Sequence, residues 1–159
     1  MTILTVNLLF STLVFSIAAK LYLLPRLHEF GPRSVLLPIL LLHAFRHLGL
    51  MFLAPGATYP GISPQFAYPA AFGDLLAAVL AVSAIPAVAV NGRGARLLVW
   101  AFNIEGTFDL IAAIALATLT GAAASMGPAY WIPAFWVPAL LVTHHITFRI
   151  LLKYWKGAI

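Results

Sequence analysis

Cysteine is absent from this 159-residue chain, which excludes disulfides, thiolate metal sites and cysteine nucleophiles. Charge is nearly as scarce. Only 8% of residues are charged and 63% are hydrophobic, with a mean hydropathy of +1.02, whereas a soluble domain carries about 25% charged and 45–50% apolar residues. Such a chain cannot cover a water-facing surface, so its solvent is the bilayer. No basic stretch precedes the first apolar run, "MTILTVNLLFSTLVFSIAAKLYLL", and Lys20 follows its core. The run is long enough to span and reads as a retained first helix, not a cleaved signal. No segment has the composition of a soluble domain. There is no internal repeat, which disfavours an inverted-repeat transporter.

The few charges that are present are informative by position. The net charge is +5, but Lys20, Arg26, Arg33, Arg93, Arg96, Arg149, Lys153 and Lys156 lie at or beside the ends of apolar runs. That distribution orients a protein in a membrane and points to anionic lipid head groups as partners. No aromatic-basic groove motif accompanies them, so nucleic acid is not an expected partner.

A span needs roughly 20 apolar residues to cross a hydrocarbon core about 30 Å thick. Five segments qualify, at about residues 2–24, 35–54, 67–90, 96–120 and 129–152, separated by "PRLHEFGPR", "PGATYPGISPQ", "NGRGAR" and "GAAASMGP". The expectation is an all-α polytopic integral membrane protein, residues 1–159 forming one bundle. Loops one and three and the C-terminal tail are basic; loops two and four carry no charge. By the positive-inside rule the N-terminus is outside and the C-terminus cytoplasmic, as in a bacterial inner membrane. Tyr59, Tyr68, Tyr130, Trp131 and Trp136 cluster at the uncharged loops, while Tyr154 and Trp155 mark the other side, as interfacial belts. The Pro/Tyr-rich stretch 55–69 reads either as a lid or as a tight surface loop.

Inside the spans the ionisable residues are the candidates for function. The second span holds His43, Arg46 and His47, the third Asp74, the fourth Asn103, Glu105 and Asp109, and the fifth His144 and His145 beside Thr143 and Thr147. A charged group at the bilayer centre costs about 2.5–3.5 kcal/mol unless it turns inward to a partner, so these should converge. Counted from the cytoplasmic end, His43 and Glu105 lie at roughly 13 Å depth and His47 and Asp109 at roughly 19 Å. His43 and His47 are four residues apart, as are Glu105 and Asp109, so each pair is expected to share a helix face. His144 and His145 point about 100° apart, so one of them faces the site.

Paired histidines at that spacing with carboxylates nearby suit a zinc, iron or manganese ion. The expected ligands are His43, His47, Asp74, Glu105, Asp109, His144 and His145, with Glu105 and Asp109 doubling as general acid or base. Arg46 would orient a carboxylate or bind an anionic group, making all three candidate catalytic residues for a hydrophobic small-molecule or lipid substrate. Three carboxylates against Arg46 leave a formal −2, which a divalent cation would balance. Haem b held between His43 or His47 and His144 or His145 is the lesser cofactor expectation. The alternatives are a proton or cation relay, which in so narrow a bundle would need a homo-oligomer, and a structural subunit whose polar residues fix helix packing. Lys20 lies too near a span end for a retinal Schiff base, and Ser16 and Ser83 lie away from the histidines, disfavouring a serine hydrolase. The additional HxxHH boxes of membrane desaturases and the glutamate-rich signature of intramembrane CAAX-type proteases are both missing.

Overall fold

The computed structural model describes residues 2–155; Lys156, counted above among the basic span-end residues, lies outside them. The described chain is all α-helical, with five helices long and apolar enough to cross a membrane: α1 Ile3–Arg26, α2 Pro32–Leu53, α3 Pro64–Ala89, α4 Ala95–Leu119 and α5 Gly127–Tyr154. Pro32 and Pro64 open α2 and α3 in the first turn, where a missing N–H costs nothing and the fixed φ favours the helix. Gly94, at φ +84°, supplies the left-handed residue that turns the chain into α4.

Helix α3 is the centre of the bundle, packed between α2 and α4, with α5 against α4 and α2. Its contact face is a stripe of alanines: Ala67, Ala70, Ala71, Ala77, Ala78, Ala81 and Ala84 are all buried. Spacings of three and four put them on one side, and their small size lets neighbouring backbones approach closely. Helix α1 differs from the rest. It packs mainly on α5, and Leu4 is the one residue of Ile3–Arg26 that is buried. At the uncharged end the two loops interlock: Tyr59 N–H donates to the Ser125 carbonyl and Ala129 N–H to the Ala57 carbonyl, each at 2.9 Å. The stretch 55–69 is thus divided between this tied loop and the first turns of α3.

Three helices leave regular α geometry. In α1 the residues Ala19–Leu23 form a π turn, and α5 contains two more, Ile132–Trp136 and Ile150–Tyr154. Pro133 lies within the first α5 turn and Pro138 just beyond it, and the wider winding accommodates the backbone positions they perturb. Helix α2 is regular over Pro32–Ala44 and then tightens into a nine-residue 3-10 stretch, Phe45–Leu53. Runs of that length are uncommon, and this one positions the site.

The buried apolar side chains form two clusters. The first contains Leu36, Leu40, Val99, Phe102, Ile146 and Ile150, towards the basic end. The second contains Phe52, Phe66, Leu110, Met126, Ile132 and Leu140, towards the uncharged end. On α2 the apolar cluster residues stop at Leu40 and resume at Phe52; on α4 they stop at Phe102 and resume at Leu110; on α5 they stop at Leu140 and resume at Ile146. On these three helices the gap holds the buried polar residues.

Candidate functional site

The 3-10 winding of α2 decides which of its polar residues enter the bundle. Three residues per turn stack i, i+3 and i+6, and Arg46, Gly49 and Phe52 are all buried. His43, in the last α turn, is also buried, but His47 is rotated out. It is exposed and donates from Nδ1 to the Ala44 carbonyl at 2.9 Å within its own turn. The expected shared face of His43 and His47 rested on 3.6 residues per turn, and the change of helix type overturns it.

Arg46 occupies the centre. Its Nε donates to Asp74 Oδ1 on α3 at 2.7 Å, and its Nη2 donates to Asp109 Oδ2 on α4 at 2.5 Å. Nη1 donates to the Gly106 carbonyl at 3.1 Å and lies 3.3 Å from His144 Nε2. One guanidinium thereby ties α2 to α3, α4 and α5. A planar fork with fixed donor directions suits this task in a way that a lysine ammonium would not. Arg46 and His43 are fully or almost fully buried, Asp74 is buried, and the Asp109 side chain is 12% exposed.

The bonds also set proton positions. Asn103 Nδ2 donates to the His144 carbonyl at 3.3 Å, which turns its Oδ1 towards His144 Nδ1 at 2.7 Å. An amide oxygen only accepts, so Nδ1 of His144 carries hydrogen and Nε2 presents a lone pair to Arg46. Thr143 gives its hydroxyl hydrogen to the carbonyls of Ala139 and Leu140. Its oxygen is then the acceptor for His43 Nε2 at 2.9 Å. The His43 ring sits edge-on to Phe102, with centroids 4.9 Å apart, and in contact with the His144 ring at 4.3 Å. Rings this close leave no gap for a haem macrocycle unless α2 and α5 part.

Three glycines make the room. A Cβ at Gly49 would overlap the Asp74 carboxylate, and a Cβ at Gly73 would overlap that of Asp109. A Cβ at Gly106 would lie 2.6 Å from Arg46 Nη1 and 2.7 Å from His144 Cε1. Each bare backbone thus faces a different member of the cluster. None was singled out from the sequence, although "HLGL", "FGDL" and "IEGTFD" set each glycine within three residues of an ionisable one.

Of the residues expected to converge, Arg46, Asp74, Asp109, His144 and His43 are brought together, with Asn103 and Thr143 as hydrogen-bond partners. His145 is exposed, turned about 100° away from His144 on α5. Glu105 is half-buried and joins none of these bonds; its Oε2 is shielded from solvent and has no hydrogen-bond partner. Among the described residues no three or more His, Asp or Glu side chains form a group arranged to hold a metal ion. The guanidinium occupies the space between the carboxylates, so a metal there would have to displace it. Asp74 is also the only polar residue among those lining a small cavity of about 20 Å³, walled by residues such as Leu4, Phe52, Leu110 and Met126.

The family model for DUF8737, a domain of unknown function, matches residues 3–152. The chain belongs to that family. The matched region takes in all five helices nearly whole and every residue of the Arg46 cluster. No curated protein and no solved structure matches the chain.

Proposed function

We propose that this DUF8737 chain is a non-catalytic integral membrane subunit in which the Arg46 cluster fixes the packing of α2 to α5, leaving the lipid-facing exterior as the working surface. The observation that carries this reading is the engagement of all three nitrogens of one guanidinium by three other helices, in a polar layer between two apolar clusters. A charge buried this way would cost several kcal/mol without its partners. With them it specifies helix register, which apolar packing against lipid of equal polarity specifies poorly. The basic end faces the cytoplasm by the positive-inside rule, with the N-terminus outside and a bacterial inner membrane as the setting.

The two apolar clusters also weigh against a proton relay, which needs a polar path to each face. A metal-dependent enzyme remains the principal competitor, with Asp74, Asp109, His43 and His144 as the ligand set once Arg46 has swung away. Elemental analysis and an optical spectrum of protein purified without chelators separate the two. The packing role predicts well under one zinc, iron or manganese per chain, no haem bands and an unfolding midpoint indifferent to chelator. One metal per chain, lost in Asp109→Asn, would establish the competitor instead.

A second reading is favoured by the cavity over Asp74. A pocket that is apolar apart from one carboxyl resembles sites for hydrophobic molecules bearing a single donor. Its present size holds about one water molecule, so such a ligand would enter by displacing α1, whose Leu4 and Leu8 form one wall.

A further inference from the structure

We propose that the groove between α1 and α5 at the basic end is a binding site for one anionic phospholipid, with its phosphate held between Lys20 and Arg149. The site is remote from Arg46 and does not depend on the role assigned to that cluster.

The groove has a volume of about 260 Å³ and is lined on one side by Thr12, Ser16 and Lys20 of α1, and on the other by His145 and Arg149 of α5. Its remaining walls are apolar side chains, among them Leu24, Leu141 and Ile146. Cationic groups towards the helix ends, continuous with a largely apolar trough that carries the Ser16 and Thr12 hydroxyls deeper in, match a phosphate with an acyl chain beneath it better than a free anion.

Charge accounting makes the groove's cations conspicuous. The chain has four carboxylate side chains. Asp74 and Asp109 are held by Arg46, and Glu29 lies 3.7 Å from His28. Glu105 is on α4 and does not line the groove. Among the described residues no carboxylate side chain lies in the groove with Lys20 and Arg149. Arg149 is also partly withdrawn from solvent, and its Nε is shielded with no hydrogen-bond partner among the described residues. A shielded guanidinium N–H without an acceptor is costly, and a phosphate oxygen would supply the acceptor in a charge-assisted bond.

Backbone geometry converges on the same place. Lys20 lies inside the π turn of α1, and Arg149 immediately precedes the second π turn of α5. Single π turns inside α-helices occur frequently at functional sites because they re-aim side chains. Residues of the α1 turn, Ala19 and Lys20, and Arg149 at the start of the α5 turn line opposite sides of the groove.

The test is lipid retention measured by native mass spectrometry after reconstitution in phosphatidylcholine nanodiscs containing a minor fraction of phosphatidylglycerol. One phosphatidylglycerol per chain should be retained in preference to phosphatidylcholine. Lys20→Ala/Arg149→Ala should weaken that preference on the order of tenfold or more, since each basic group near a head group contributes a factor of about five. Arg33→Ala/Arg93→Ala removes the same charge from exposed positions outside the groove and should leave retention unchanged. Should the double variant fail to fold, Lys20→Gln alone, at an exposed position, should lower the preference roughly fivefold. Equal retention of the two lipids, an equal loss in the two double variants, or displacement by millimolar inorganic phosphate as complete as by excess phosphatidylglycerol would overturn the proposal.

Discussion

At the scale of single residues, the cluster depends as much on missing side chains as on charged ones. Gly49, Gly73 and Gly106 each lie where a methyl group would strike Asp74, Asp109 or Arg46 with His144. The neighbours that would have to move are ionic partners with nowhere else to bond. Gly49→Ala, Gly73→Ala and Gly106→Ala should each destabilise the protein by roughly 2–3 kcal/mol or more, the upper range of overpacking costs. Gly31 provides the control. Its φ is −62° and no atom lies within 4 Å of an added Cβ, so Gly31→Ala should leave the thermal midpoint in detergent unchanged or slightly raised. Equal midpoints for all four variants would contradict the account. The charged members of this site were readable from the chain, because Arg46, Asp74, Asp109 and His144 are conspicuous in apolar surroundings. Their partners were not. Depth counted along straight helices matched His43 with Glu105, yet His43 bonds to Thr143, and Glu105 stays outside the network. Such pairings depend on helix rotation, which residue spacing within one helix does not report.

At the scale of elements, all five spans were readable, because about 20 apolar residues in a row have few alternatives in a bilayer. The 3-10 stretch of α2 was not. Nine apolar and polar residues fit a period of 3.0 nearly as well as 3.6, and the difference decides whether His47 or Gly49 follows Arg46 to the inside. The alanine stripe of α3 was visible as a composition, but the partners on its two sides were not. Because α3 touches both α2 and α4 through those alanines, it has little tolerance for bulk. Ala81 is fully buried, and Ala81→Leu should lower stability by about 1–3 kcal/mol. Val79, two residues away, is 53% exposed, and Val79→Leu should be within about 0.5 kcal/mol of the parent. Paired thermal or chemical unfolding of the two variants in the same detergent checks this, and an Ala81→Leu protein as stable as Val79→Leu would mean that α3 does not sit at the centre.

At the scale of the whole molecule, α2 to α5 form a body tied through one guanidinium, while α1 leans on α5 and leaves grooves beside it. The basic and uncharged ends give the molecule a direction, and the absence of cysteine makes that direction easy to measure. Thr58→Cys should react with a membrane-impermeant maleimide in intact cells, and Arg93→Cys only after permeabilisation; the opposite pattern would invert the proposed topology.

The central claim is that the intramembrane charges exist for one another, and the most direct test is a mutant cycle on Arg46, Asp74 and Asp109 read by unfolding free energy. Breaking a buried ion pair on one side costs about 3–5 kcal/mol, whereas replacing all the charges by neutral groups of similar size restores most of the loss. Arg46→Met should therefore be strongly destabilised, and Arg46→Met/Asp74→Asn/Asp109→Asn should recover to near the parent value. An Arg46→Met protein as stable as the parent, or a triple variant that falls by the sum of its separate losses, would contradict the account.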